Sequence, residues 1–143
     1  MKTAVLEPQP QTKQTYTNNT IIRFDEGLIG FAECKDFVLV ETADIKPFRL
    51  LQSADSNAIS LVVLDPRVRI ADYNNRVPQR EWEAIGVTEA GNRLSFVIVN
   101  VGLNAKEITG NFQAPLLINY EKMTGRQVIL TDSDFCLRTP LLG

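Results

Sequence analysis

Few residues in this sequence have the types and spacing that chemistry demands. Ser53, Asp65 and Arg138 are available to a reaction, but a nucleophile needs a base beside it. The chain has no histidine, the commonest general base and the commonest zinc ligand. A lysine substitutes only when its surroundings lower its pKa, and Lys35, Lys46, Lys106 and Lys122 all stand in polar neighbourhoods. Asp132-Ser133-Asp134 offers two carboxylates to a hard cation, where calcium takes about six to eight oxygens, so a turn is the expected role. Gly27 and Gly30, inside Phe24-Asp25-Glu26-Gly27-Leu28-Ile29-Gly30-Phe31, have the G-x-x-G spacing of loops that clamp a nucleic-acid backbone. Such loops work through exposed amides and nearby positive charge. Here two acids precede the loop and two aliphatics fill it, which predicts a turn burying Phe24, Leu28 and Phe31. No metal, nucleotide or covalent cofactor is expected, and no enzymatic activity.

The elements that would position these residues are short. From Ile21 onward, β-branched and aromatic runs alternate with Gly, Pro, Asn and Asp, the pattern of many short strands. The runs are 20–24, 37–41, 48–53, 59–64, 68–70, 93–101, 108–113, 116–120 and 126–131, and they predict a mostly β fold. A hairpin is expected between the last two, with Gly125 supplying a positive φ in the loop. One helix is expected around Pro78 to Ile85, with Pro78 in its first turn, Gly86 as its stop, and Trp82 and Ile85 on its buried face. Residues 1–17, rich in Gln and Thr and broken by Pro8 and Pro10, read as a loose tail, leaving 18–143 as a single domain. A chain of 143 residues suffices for one unstapled core.

Strand parity adds a constraint. Ile59, Leu61 and Val63 oppose Ser60, Val62 and Leu64, and Leu94, Phe96 and Ile98 oppose Ser95, Val97, Val99 and Val101. Strands apolar on both faces must be covered on both. A closed barrel or two-sheet sandwich capped by its own corners and tails is one solution; a partner protein over the outer face is the other.

Composition narrows the function classes. Lys and Arg number 15 against 17 Asp and Glu, without the basic stripe of a phosphate-backbone binder. Between residues 25 and 55 seven acids face three bases, an excess suited to a basic protein partner. Cys34 and Cys136 lie far apart in no metal or redox spacing, so free thiols in a reducing cytoplasm are expected. No apolar run approaches the length of a membrane span. A nucleic-acid-binding barrel would need aromatic platforms and a basic groove. A ligand-binding barrel would need convergent polar groups, for which only Gln52, Asn100 and Asn119 sit mid-strand.

Six ordered blocks resemble the flagellar assembly factor FliW family: Ile22 to Phe31, Phe37-Val38-Leu39, Phe48 to Ser53, Val62 to Pro66, Ala114 to Asn119, and Gln127 to Leu130. The resemblance implies a small antiparallel β-barrel-like single domain of the bacterial cytoplasm, monomeric when free. It implies two protein partners and no direct nucleic acid or membrane. One is flagellin; the other is CsrA, a small dimeric RNA-binding regulator that represses flagellin translation and is antagonised away from its RNA surface. Flagellin would occupy the factor while it accumulates, and its export would free the factor to sequester CsrA. The family's closing segment commonly carries a histidine before Pro-Leu; here Phe135, Arg138, Pro140 and Leu141 are kept and Thr139 takes the histidine's place. The expected partner-binding residues are Glu26, Gln52, Ser53, Asp55, Asp65 and Arg138. Glu26, on the tight Gly27 turn, and Asp55 are the foremost.

Overall fold

Leu61 and Val63 point one way from their strand and Leu64 the other, and all three are buried. The computed structural model, which describes residues 2–3, 16–55, 59–101 and 107–141, meets this demand with a barrel that is filled inside and clothed on one outer side. Its strands are β1 (Lys2–Thr3), β2 (Tyr16–Phe24), β3 (Asp36–Val40), β4 (Phe48–Ser53), β5 (Ser60–Leu64), β6 (Leu94–Val101), β7 (Thr109–Gly110), β8 (Leu116–Asn119), β9 (Thr124–Gln127) and β10 (Thr139–Pro140). The neighbour order β6-β5-β4-β3-β2-β9-β8 returns to β6 through a β6–β8 pairing and closes the barrel. The expected antiparallel arrangement holds at every seam but one. There β2 and β9 run parallel, paired at Arg23–Thr124 and Phe24–Gly125.

The longer β6 outlasts the barrel. Leu94 to Phe96 pair with β8 and Val97–Ile98 with β5, while Val99 to Val101 carry β7 and β1. With β10 on the far side of β7, these strands make a small second sheet.

Two apolar clusters follow from the parity. Inside the barrel lie Ile22, Phe24, Leu28, Phe37, Leu51, Leu61, Val63, Phe96, Ile98, Leu116 and Ile118. Outside it, Leu64, Val97, Val99 and Leu117 pack under Tyr73, Val77, Trp82, Phe112, Val128 and Leu130. The cover comes from two short helices, α1 (Tyr73–Arg76) and α2 (Gln79–Ala84), together with the C-terminal segment through Phe135 and Leu141. Hence the outer face around Val62, Leu64 and Val99 is clothed by the chain itself, and only Val101 at the strand's end is exposed. Asn74 ties the cover down. Its amide donates to the Arg93 carbonyl at 3.0 Å, its side-chain oxygen accepts from the Ser95 hydroxyl, and its own carbonyl accepts from Trp82 Nε1 at 3.0 Å.

Several expectations are corrected. Val68 to Ile70 is not a strand, because Asp65 caps a 3₁₀ turn over Pro66–Val68. The helix at α2 is present, but α1 precedes it. The β8–β9 hairpin is present with a shorter loop, 120–123, in which Met123 takes the positive φ and Gly125 lies within β9. The run 108–113 shrinks to β7. Phe31 is half-buried whereas Phe24 and Leu28 are fully buried. Of the expected tail 1–17, Lys2–Thr3 pairs with β6 and Tyr16 opens β2 opposite Val40; residues 4–15 lie outside the described residues. Cys34 is buried, Cys136 is exposed, and both are free thiols.

Candidate partner-binding site

The rim where β2 ends, β3 begins and β4 ends gathers four of the six expected residues. Gly27, at φ +68, turns the chain after Phe24, and a Cβ there would lie 2.5 Å from the Ala32 carbonyl oxygen. Only glycine meets both conditions. The turn presents Glu26 to solvent, ion-paired to Arg126 Nε of β9 at 3.2 Å. Across the rim, one Asp55 carboxylate oxygen accepts from the Lys35 amide at 2.9 Å and the Asp36 amide at 3.1 Å. These two backbone bonds, Asp36's the larger, hold the Asp55 carboxyl below its ordinary pKa. Ser53 is buried beneath, its hydroxyl accepting from the Asp55 amide at 3.1 Å. Gln52, half-buried, is held in register between Val38 and Ser60.

The acidic excess there is smaller than the segment's own charge count. Arg23, just before it in sequence, bridges Asp25 at 3.1 Å and Asp36 at 3.2 Å, and Lys35 Nζ donates to the Asp25 carbonyl at 2.8 Å. With Arg126, these cations make the rim a lattice of alternating sign, from which Glu26, 71% accessible, and Asp25, 78% accessible, stand out into solvent.

Asp65 and Arg138 are not on this rim. Asp65 lies at the opposite end of the barrel, one strand length away, roughly 16 Å for five residues. Burial pushes its pKa up, but bonds from the Arg67 side chain (2.7 Å and 3.0 Å) and amide (2.9 Å) outweigh it, and the carboxyl ends below its ordinary value. Beside it runs a cleft of about 290 Å³ lined by Glu41, Lys46, Pro47, Phe48, Arg49 and Val68. Arg49 points into the barrel, since its cross-strand partner Val63 and its neighbour Leu51 are interior residues. Its guanidinium lies over the Phe96 ring at 5.4 Å and pairs with Glu41 at 2.6 Å. An inward arginine at a barrel mouth was not among the expected site residues. The signal was present in strand parity, which puts residue 49 with Leu51. Arg138 is exposed on the C-terminal segment beside the outer cover. Gln52, Asn100 and Asn119 do not converge. Asn119 instead donates to the Ile85 carbonyl at 2.8 Å and accepts from the Lys122 amide at 3.1 Å, fixing the hairpin to the end of α2.

Among the described residues no group of three or more Cys, Asp or Glu could hold a metal ion, and no helix is long and apolar enough to cross a membrane. The barrel with its shared β6 matches a solved architecture. The crystal structure of the flagellar assembly factor FliW superposes with a TM-score of 0.79 at 28% identity, over 98% of each chain. The family model described as FliW protein matches residues 6–141. This chain belongs to the FliW family. Relatives named flagellar assembly factor FliW include one from Clostridium beijerinckii, 31% identical over 129 residues, with 90% of this chain and 92% of the relative covered. One from Leptospira interrogans serogroup Icterohaemorrhagiae serovar Lai is 33% identical over 138 residues, covering 96% and 92%. FliW is an assembly-factor family rather than an enzyme family, and the match includes the rim, the cleft and the outer cover alike.

Proposed function

We propose that this FliW-family protein works in the cytoplasm as a flagellar assembly factor that binds flagellin and sequesters a CsrA-type RNA-binding regulator, relieving repression of flagellin translation. The observation that carries this reading is the likeness over nearly the whole length of both chains to a solved assembly factor. The rim supports it. Glu26 is held out on a turn that costs little entropy to present, and carboxylates alternating with arginines suit a partner that is basic on balance but recognised in register. The free protein is a monomer, and free flagellin sets how much of it remains to take up the regulator.

The test is calorimetry with purified flagellin and CsrA-type regulator from the same cell. Binding of each at micromolar affinity or better, and loss of regulator binding once flagellin saturates the protein, are the expected results. Failure of both partners to bind would reject the reading; binding of both without mutual exclusion would reject the switch.

A further inference from the structure

We propose that a second surface, basic and apolar, built where the C-terminal segment crosses the 3₁₀ turn Pro66–Val68 and α1, docks an acidic segment of a protein partner. Residues 66–80 hold four arginines and one acid, Asp72, and the C-terminal segment 132–141 adds Arg138 with two exposed acids, Asp132 and Asp134, which leaves an excess of two positive charges. Arg67 is committed to Asp65, and Arg80 lies 3.9 Å from Glu81. Arg69 and Arg76 go to neutral groups of the C-terminal segment instead. Arg69 Nε donates to the Pro140 carbonyl at 3.4 Å, and the Arg76 guanidinium lies over the Phe135 ring at 5.0 Å. Arg138 is exposed between those two points of attachment. The guanidinium groups of Arg69 and Arg76 therefore lie along one seam with Arg138 exposed on the segment that crosses it, and among the described residues none of the three pairs with a carboxylate.

The seam is firm. Phe135 packs on Tyr73 with ring centroids 4.7 Å apart, and Tyr73 is fully buried with its hydroxyl donating to the Phe112 carbonyl at 2.6 Å. Upon it stand two aliphatic side chains that are more than half exposed, Val68 at 61% and Leu137 at 57%. Val68 also lines the cleft beside Asp65, where Pro47 and Phe48 complete an apolar wall. Arginine flanking exposed aliphatics beside a pocket is the composition of a protein interface. Charge complementarity selects the occupant as an acidic segment that places an apolar side chain against Val68 and the cleft. A nucleic acid fits less well, because aliphatic groups give its bases no stacking platform and the chain as a whole carries −2.

The test is an amide-resolved NMR titration of the full chain with a short synthetic peptide of alternating Glu and Leu, its Lys and Leu counterpart as control. The expected result is shifts at Val68, Arg69, Leu137 and Arg138 with the acidic peptide and none there with the basic one. R69E/R138E should weaken the acidic peptide about tenfold or more at an unchanged melting temperature. R138E alone, on an exposed side chain without a partner among the described residues, serves should the double variant melt early. No binding, equal binding of both peptides, or shifts confined to residues elsewhere would overturn the proposal. So would tighter binding at these four residues by single-stranded RNA or by anionic lipid vesicles.

Discussion

The ring of Phe24 fills the space that a side chain at position 125 would need. A Cβ built on Gly125 would lie 2.5 Å from Phe24 Cε2, 2.9 Å from its Cζ and 3.0 Å from Ile118 Cδ1. Phe24 is fully buried and packed edge-on against Phe37, so it cannot swing away. Gly125→Ala should therefore destabilise the protein by about 1–3 kcal/mol, read as a lowered melting temperature. A variant as stable as the parent would mean that the ring yields.

At the rim, Glu26→Lys breaks an exposed ion pair worth about 0–1 kcal/mol, so the melting temperature should hold. Association with a basic regulator should slow several-fold and lose much of its salt dependence, measured by surface plasmon resonance at two ionic strengths. Asp55→Lys is a different experiment. It strips the acceptor from the Lys35 and Asp36 amides, and a fall in melting temperature should accompany any change in rate.

Asp65 predicts a pH dependence. Its folded pKa lies below the ordinary value of 3.8, so its contribution is complete above that value and is lost as pH falls through the folded pKa. Asp65→Asn should melt below the parent at neutral pH, and the gap should close as the pH is lowered beneath about 4. Thermal melts of both proteins across that range give the answer; a gap constant with pH would refute it.

The anchor of the outer cover can be tested at Asn74. Asn74→Ala leaves the buried Ser95 hydroxyl and the Arg93 carbonyl without the partners they have now, a loss of about 1–3 kcal/mol in chemical denaturation.

Strand existence and inward parity were legible because both faces of β5 and β6 are written in alternation, and five of the runs match strands to within one residue at each end. What was missed depends on neighbours distant in sequence. Gly125 resembles a turn glycine, yet its reason is the ring of Phe24, about a hundred residues earlier. The 25–55 acidic excess looked larger than it is because Arg23 and Arg126, which bridge three of those acids, lie outside that stretch. The Val68–Ile70 run has strand-forming residues but sits behind an Asp-Pro cap, and α1, Tyr-Asn-Asn-Arg, has weak helix formers held by the burial of Tyr73 and Asn74 rather than by propensity. Of the site, the Glu26 turn was readable from its glycine. The Arg49–Glu41 pair was not, because it depends on the β3–β4 register that sets Val40 opposite Leu50, and the turn between the strands fixes that register.

The parallel seam between β2 and β9 joins the barrel's banks with two residue pairs, as few as join β5 to β6 and far fewer than β4 shares with β5. A ring is only as closed as its thinnest junctions, and local opening selects regions with few protective bonds. Glu26 stands on one bank and Arg126 on the other. A partner that grips both at once therefore acts as a clasp. It would slow hydrogen exchange throughout the barrel interior, far from any atom it touches, so that a binding event at the surface becomes a property of the whole ring.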